Sequence, residues 1–342
     1  MANLGVADTP RTTSGGQGRI RRALSAREAG VFVALILMCA FLAVSTDAFL
    51  SSRNLLNVGR QISLLGIMAV GMTFVLIAAE VDLSVGSTYA LSGLMTGILI
   101  VQQWALLPAI LVGLALGGLV GFLNGVLSTY GKLPSFITTL GMMSIVRGVA
   151  LLITNGEPVT VNASSGANGD TLSQFFWIGQ GSLFGQIPMQ LVFFIVIAFL
   201  GWIVLSFTTF GFRVYAVGGG LKAARVSGIK VFSVKIWAFI IMGVLSGLAG
   251  ILSLAFLPSG QAGRTGVGLE LDVIAATIVG GASLSGGEGT MLGTILGVLI
   301  IGVLRNGLIL LGISPFWQTT IIGLVIIVAV AIDKWTTSRR AG

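Results

Sequence analysis

Long apolar blocks alternate with short polar ones along this chain. The first 29 residues are polar and carry Arg11, Arg19, Arg21, Arg22 and Arg27. Ten apolar runs follow, near 31–49, 62–79, 83–101, 105–128, 133–153, 189–208, 234–257, 271–281, 290–311 and 316–333. A helix needs ~20 apolar residues to cross a bilayer. Run 271–281 is too short to span alone, so the pattern predicts about ten membrane helices, eight at the least, with short or broken ones among them. No A-x-A-like site follows the first run, which therefore reads as an uncleaved span. The expected organisation is a disordered tail at 1–29, a transmembrane domain at 30–334 and a short tail at 335–342.

The polar connections predict an orientation. The 209–235 connection holds Arg213, Lys222, Arg225, Lys230 and Lys235 and no acidic residue, and the C-terminus holds Lys334, Arg339 and Arg340. The 154–188 connection holds Glu157 and Asp170 and no basic residue. Basic loops stay on the cytoplasmic side. Ten spans satisfy these signs with both termini inside, although Arg53 and Arg60 then fall on the outer side.

Composition supports the same class. The 342 residues are 55% hydrophobic and 9% charged, against roughly 25% charged in a soluble domain. The fold class expected is an all-α integral membrane protein. The net charge of +8 follows from the basic loops, so it points to a lipid bilayer and not to nucleic acid. There is no histidine, and Cys39 is the single cysteine. An intrachain disulfide, a cysteine metal cluster and a histidine-based hydrolytic triad are all excluded. Neither a metal nor another cofactor is expected, and no catalytic constellation stands out. The 50 glycines are scattered through the apolar runs. Gly117, Gly118, Gly121 and Gly125 nearly share one helix face, as do Gly293 and Gly297. Such stripes let membrane helices approach closely. The other use of glycine is to break a helix along a pathway.

Leu284 to Glu288 spells LSGGE, one letter from the LSGGQ string of ABC ATPases. An ATPase also needs G-x-x-x-x-G-K-[ST]. The nearest string here, GVLSTYGKL at 125–133, has one residue too many between its glycines and ends on Leu133. LSGGE also lies between two apolar runs, where it reads as a glycine-rich break. It has a partner in a weak internal repeat: DLSVGS at 82–87 against SLSGGE at 283–288, GFLNG at 121–125 against GVLRNG at 302–307, and LPSFITTLG at 133–141 against SPFWQTTIIG at 314–323. The order is kept and the spacing is not, so both a parallel and an inverted repeat stay open.

Three longer stretches carry a more specific resemblance. GMTFVLIAAEVDLSVGSTYALSG at 71–93 resembles the G-I-D-L-S-V-G-S region of bacterial sugar ABC permeases. GFRVYAVGGGLKAARVSGIKVFSVK at 211–235 is similar to their G-R-x-x-Y-A-x-G-G-N-x-x-A-A-R-x-S-G-I segment, and 269–318 continues the match. Together they cover most of 60–333. The family is the ribose/xylose/arabinose/galactose-type permease group. Ala79-Glu80-Val81 stands where Gly-Gly-Ile is usual, and Gly220 replaces the common Asn. The resemblance implies a monosaccharide importer in the bacterial inner membrane. In it a cytoplasmic ABC ATPase hydrolyses ATP, a periplasmic sugar-binding protein delivers the sugar, and this chain, as a homodimer, forms the passage without an ATPase site of its own.

Candidate functional residues follow. In 209–235, Gly218 and Gly219 are expected to make a tight turn before a short helix with Ala223 and Ala224, stopped near Gly228. This element suits contact with the ATPase, with Arg225 offering a charge to a carboxylate; a plain basic loop is the alternative. Glu80 and Asp82 interrupt an apolar region. They either line the translocation pathway with Ser84 or sit at the surface, Asp82 as a helix N-cap. Asn124 and Asn306 occupy equivalent places in the repeat, and each offers a sugar hydroxyl a donor and an acceptor or bonds a neighbouring helix. Phe136, Phe316, Trp317 and Gln318 offer stacking surface and a polar contact. Arg147 and Arg305 lie inside apolar runs, and Arg147 is expected to bond backbone carbonyls or to snorkel. The rival function is a stand-alone ion-coupled secondary carrier for a small polar solute.

Overall fold

The computed structural model describes residues 26–341. The N-terminal tail lies outside the described residues apart from its last positions. The helices are α1 (Ala26–Ser45), α2 (Ser52–Ile77), α3 (Val85–Val101), α4 (Leu106–Thr129), α5 (Ser135–Thr154), α6 (Gly169–Gln180), α7 (Met189–Phe207), α8 (Thr209–Gly219), α9 (Leu221–Val226), α10 (Val231–Phe256), α11 (Leu269–Val279), α12 (Met291–Leu310) and α13 (Pro315–Ala341). Each of the ten apolar runs holds one helix. Seven described helices are long and apolar enough to cross a membrane, and 85–101 and 316–325 are shorter apolar helices. The all-α membrane class read from the sequence is what the structure has.

Two differences have physical causes. Helix α2 starts ten residues before its apolar run because Arg53, Asn54, Asn57 and Arg60 belong to its first turns; Ser51 caps it, accepting from the Asn54 N–H at 3.3 Å. The 154–188 connection is structured. It holds α6 and three short strands: β1 (Val159–Thr160), antiparallel to β4 (Ser259–Gly260), and the antiparallel pair β2 (Ser182–Leu183) and β3 (Ile187–Pro188). Helix α11, only 11 residues long, is a half-helix. The 258–268 segment before it folds back into the molecule, where Arg147 Nη1 donates to the Ala262 carbonyl at 2.7 Å and also to that of Thr265.

Helix α10 is the centre of the packing, against α2, α3 and α4. Helix α2 is buried on nearly every side from Ile62 to Ile77, as expected for a helix that is apolar all round. Close approach between α4 and α10 follows from the glycine stripe. A Cβ at Gly117 or Gly121 would run into the Gly243 or Phe239 carbonyl, and one at Gly125 would lie 2.7 Å from Ile236 Cα. Gly118 faces only a Val244 methyl, so it is not part of the seam. Gly293 and Gly297 pack in the same way on the Gly280 and Ala276 carbonyls of α11 and its C-cap.

The connections sort to two ends. At one end Thr290, the N-cap of α12, donates to Glu28 of α1, and α8 meets the loop after α11. At the other end Gln261 Nε2 donates to the Gly156 carbonyl at 3.3 Å. The basic 209–235 connection and the acidic 154–188 connection thus lie apart, as their charges require.

Candidate functional site

The chain breaks after Ile77. Ala79 takes a φ of 59°, and residues 78–84 reverse direction before α3. Asp82 organises this break. Its Oδ1 accepts from the Ser84 N–H at 2.8 Å and from Ser84 Oγ at 2.7 Å, and Asn124 Nδ2 donates to Ser84 Oγ at 2.8 Å. All three residues are buried, at 1%, 1% and 0% exposure. Ser84, not Asp82, occupies the N-cap position of α3; Asp82 acts two residues earlier through an Asx-type turn. The first turn of α5 clamps the break from the side, through Ser135 Oγ to the Val81 N–H and Thr139 Oγ1 to the Val81 carbonyl.

Glu80 takes no part in this cluster and forms an ion pair with Lys235 near the start of α10. The carboxylate that departs from the family pattern therefore has a partner within the basic 209–235 connection.

The second break, 280–289, meets the first. The Gly287 N–H donates to the Ile77 carbonyl at 2.9 Å. Gly286 and Gly287 have φ of 82° and 74°, which side chains rarely tolerate. Helix α8 seats on this contact. A Cβ on Gly218 would overlap the Ile77 carbonyl and lie 2.6 Å from the Gly287 nitrogen. Tyr215 Oη donates to the Gly289 carbonyl at 2.6 Å. Burial, and then the charge of Glu28, raises the Tyr215 phenol pKa, which keeps the group a donor.

The expected turn at Gly218-Gly219 is displaced. Both glycines end α8, and the chain turns at Gly220 in extended backbone. Gly218 is needed for its close approach instead. Helix α9 is the expected short helix. It ends in a Schellman motif, with Gly228 N–H on the Arg225 carbonyl and Ile229 N–H on the Ala224 carbonyl, at 3.0 and 3.1 Å. Ala224 is buried under it, while Ala223 and Arg225 face outward. Arg225 lies over the Phe232 ring, 5.6 Å from its centroid.

The other candidates take no part in the two breaks. Asn306 forms a reciprocal amide pair with Asn54, at 2.8 and 3.0 Å. Asn54 begins α2 and the Asp82 break ends it, so Asn306 and Asn124 sit at opposite ends of a 26-residue helix. The GFLNG and GVLRNG strings are thus inverted relative to each other, whereas DLSVGS and SLSGGE lie at the same end. No single orientation describes the repeat. Phe136, at the start of α5, and Trp317, near the start of α13, are 53% and 61% exposed and belong to neither cluster; Gln318 follows Trp317, half-buried.

The family described as branched-chain amino acid transport system / permease component matches residues 54–330. The chain belongs to this permease family. It is 41% identical over 305 residues to the ribose import permease protein of Bacillus subtilis (strain 168), covering 89% of this chain and 92% of the relative. The ribose import permease protein of Escherichia coli (strain K12) is 39% identical over 302 residues, 88% and 92% of the two chains. The L-arabinose ABC transporter permease protein of Azospirillum brasilense is 37% identical over 314 residues, 91% and 88%. No solved structure matches. As a member of the permease family, the chain is a transport component and a multi-pass membrane protein.

Three functional candidates escape the sequence patterns. Asp272 pairs with Arg305 at 2.6 Å, Gln190 is buried near the start of α7, and Tyr215 holds the second break. A carboxylate at the head of the short run 271–281 and an arginine in the run after it was the available signal for the first. Gln190 and Tyr215 acquire their roles only through contacts distant in sequence.

Proposed function

We propose that this chain is the membrane-spanning subunit of an ATP-driven, binding-protein-dependent importer of a monosaccharide of the ribose type. The permease relatives named for ribose and L-arabinose support the substrate class. The seating of Gly218 on the Ile77–Gly287 contact carries the mechanism. Helix α9 presents Arg225 and a Val226 that is 91% exposed, a surface suited to a partner. Behind it, α8 bears on the end of the buried helix α2 and on the LSGGE loop. A cytoplasmic ABC ATPase that pushes α9 therefore moves both helix breaks together. ATP is hydrolysed in that subunit, and this chain contributes motion and passage.

In this reading the end with 209–235 is cytoplasmic, as are both termini, in a bacterial inner membrane. A periplasmic sugar-binding protein docks at the opposite end, and two copies of the chain form the transporter. Glu80, Asp82, Ser84 and Asn124 shape the cytoplasmic end of the pathway by fixing the first break. Phe136 there, and Asn306, Trp317 and Gln318 at the outer end, complete the pathway assignment.

Reconstitution of the chain with its ATPase and binding protein tests this. ATP-dependent uptake of one or more of ribose, xylose, arabinose and galactose is expected. Uptake of leucine with none of the sugars would contradict the substrate class.

A further inference from the structure

The other end of α2 borders a second polar region. A cavity of about 350 Å³ lies between α2, α3, α7, α10, α11 and α12, toward the small end of small-molecule sites. Its polar wall carries Arg60, Gln61, Gln190, Asp272 and Arg305, and its apolar wall includes Met68 and Phe256. Gln61 is exposed at one side, and Met68 is fully buried at the other, so the cavity reaches from surface to interior.

The charged groups each have a protein partner, although Arg305 Nε is buried without one. Arg305 Nη2 bonds Asp272 Oδ2 at 2.6 Å. Arg60 Nη1 donates to Asn57 Oδ1 at 3.1 Å, and its guanidinium carbon lies 6.0 Å from the Phe256 ring centroid. Gln190 differs. It is 1% exposed and lines the cavity, and neither its Oε1 nor its Nε2 has a hydrogen-bond partner. Buried polar atoms are nearly always paired, so the unpaired Gln190 amide and Arg305 Nε, both on residues that line this cavity, mark a place for a polar ligand.

The chemistry of that ligand follows from what is unpaired. A side-chain amide offers one acceptor and two donor hydrogens, and a hydroxyl both donates and accepts. A zwitterionic amino acid needs two opposite charges to receive it, and the Asp272 and Arg305 charges already neutralise each other. We propose that this cavity is a binding site for a neutral polyhydroxylated molecule of monosaccharide size. Gln190 takes one hydroxyl as donor and acceptor, and Phe256 and Met68 cover the C–H face. The proposal rests on the sugar-importer reading above, and it places a stopping point for the sugar inside one chain.

Ser253 also lines the cavity, which gives a direct test. In a Cys39→Ser background, Ser253→Cys introduces a single thiol. The complete transporter in nanodiscs is treated with a maleimide, with and without ribose, xylose, arabinose or galactose, and with leucine as a control. The transported sugar, supplied at several times its dissociation constant, is expected to slow labelling by about fivefold or more because the occupied site covers Ser253. Gln190→Leu and Gln190→Met are both expected to abolish the protection and to lower uptake about tenfold or more, the loss of one hydrogen bond to a buried hydroxyl. ATP hydrolysis stimulated by the binding protein should persist in both. Transport without protection, protection that survives both substitutions, or protection by leucine alone overturns the site and leaves the importer reading standing. If no sugar is transported by the unsubstituted chain, that reading fails and the site with it.

Discussion

Gly218 of α8 lies so close to the Ile77 carbonyl that no side chain fits between them, and the Gly287 N–H bonds that same carbonyl at 2.9 Å. Three segments far apart in sequence therefore share one point: the end of helix α8, the end of the buried helix α2, and the LSGGE loop. The loop resembles a nucleotide-binding string, but its glycines serve this contact. Their positive φ lets the backbone N–H of Gly287 reach α2.

Gly218→Val should uncouple the transporter. The added side chain must displace α8 from the Ile77 carbonyl, a backbone clash that costs ~3 kcal/mol or more, beyond an ordinary overpacked site. Binding-protein-stimulated ATP hydrolysis and uptake should both fall about tenfold or more, with membrane levels of the chain unchanged. Stimulated hydrolysis and uptake at wild-type rates would remove Gly218 from the coupling route.

Gly228→Ala places a side chain at a φ of 78°, a strain of ~1–3 kcal/mol confined to the end of α9. Arg225→Ala removes the outward charge and leaves the helix intact. Both should lower affinity for the ATPase, read as dissociation of the purified complex on dilution. A complex that survives dilution as the wild type does would exclude this surface as the docking element.

The Glu80–Lys235 pair is mostly buried, at 11% and 15% side-chain exposure. Its loss should cost more than the ~1 kcal/mol of an exposed pair and less than the ~3–5 kcal/mol of breaking a fully buried one. Lys235→Gln leaves a carboxylate unpaired, and adding Glu80→Gln to it should restore part of the loss. Thermal unfolding in detergent of the two single variants and the double variant measures the coupling. Strictly additive shifts would show that the pair does not interact.

Gly121→Leu tests the seam between α4 and α10. A Cβ there already overlaps the Phe239 carbonyl, so the helices must separate, and stability should fall by ~3 kcal/mol or more, beyond an ordinary overpacked site. Gly118→Leu, which meets only the Val244 methyl, should cost under ~1.5 kcal/mol. Unfolding temperatures that rank the two variants in the opposite order would contradict the packing.

The apolar runs made the helices legible, because a span's length and composition are local properties. Run 271–281 was recognisable as too short, and the Leu221–Val226 helix as a projecting element. The start of α2 was not legible: Asn54 and Arg60 look like loop residues until Asn306 and the Phe256 ring come into reach. Helix α6 was hidden in a polar connection. The glycines at 218, 286 and 287 were visible as a type, while their purpose depends on contacts across some 70 to 210 residues of sequence, which no local pattern contains. Gln190 was hidden for the same reason.

The energy source tests the central claim most directly. In proteoliposomes holding this chain, its ATPase and its binding protein, labelled ribose uptake is measured with ATP, with a non-hydrolysable ATP analogue, and with ATP plus ionophores that collapse the ion gradients. An ATP-driven importer accumulates sugar with ATP whether or not gradients exist, and stops with the analogue. Uptake that persists with the analogue and disappears with the ionophores would identify an ion-coupled carrier and contradict the account.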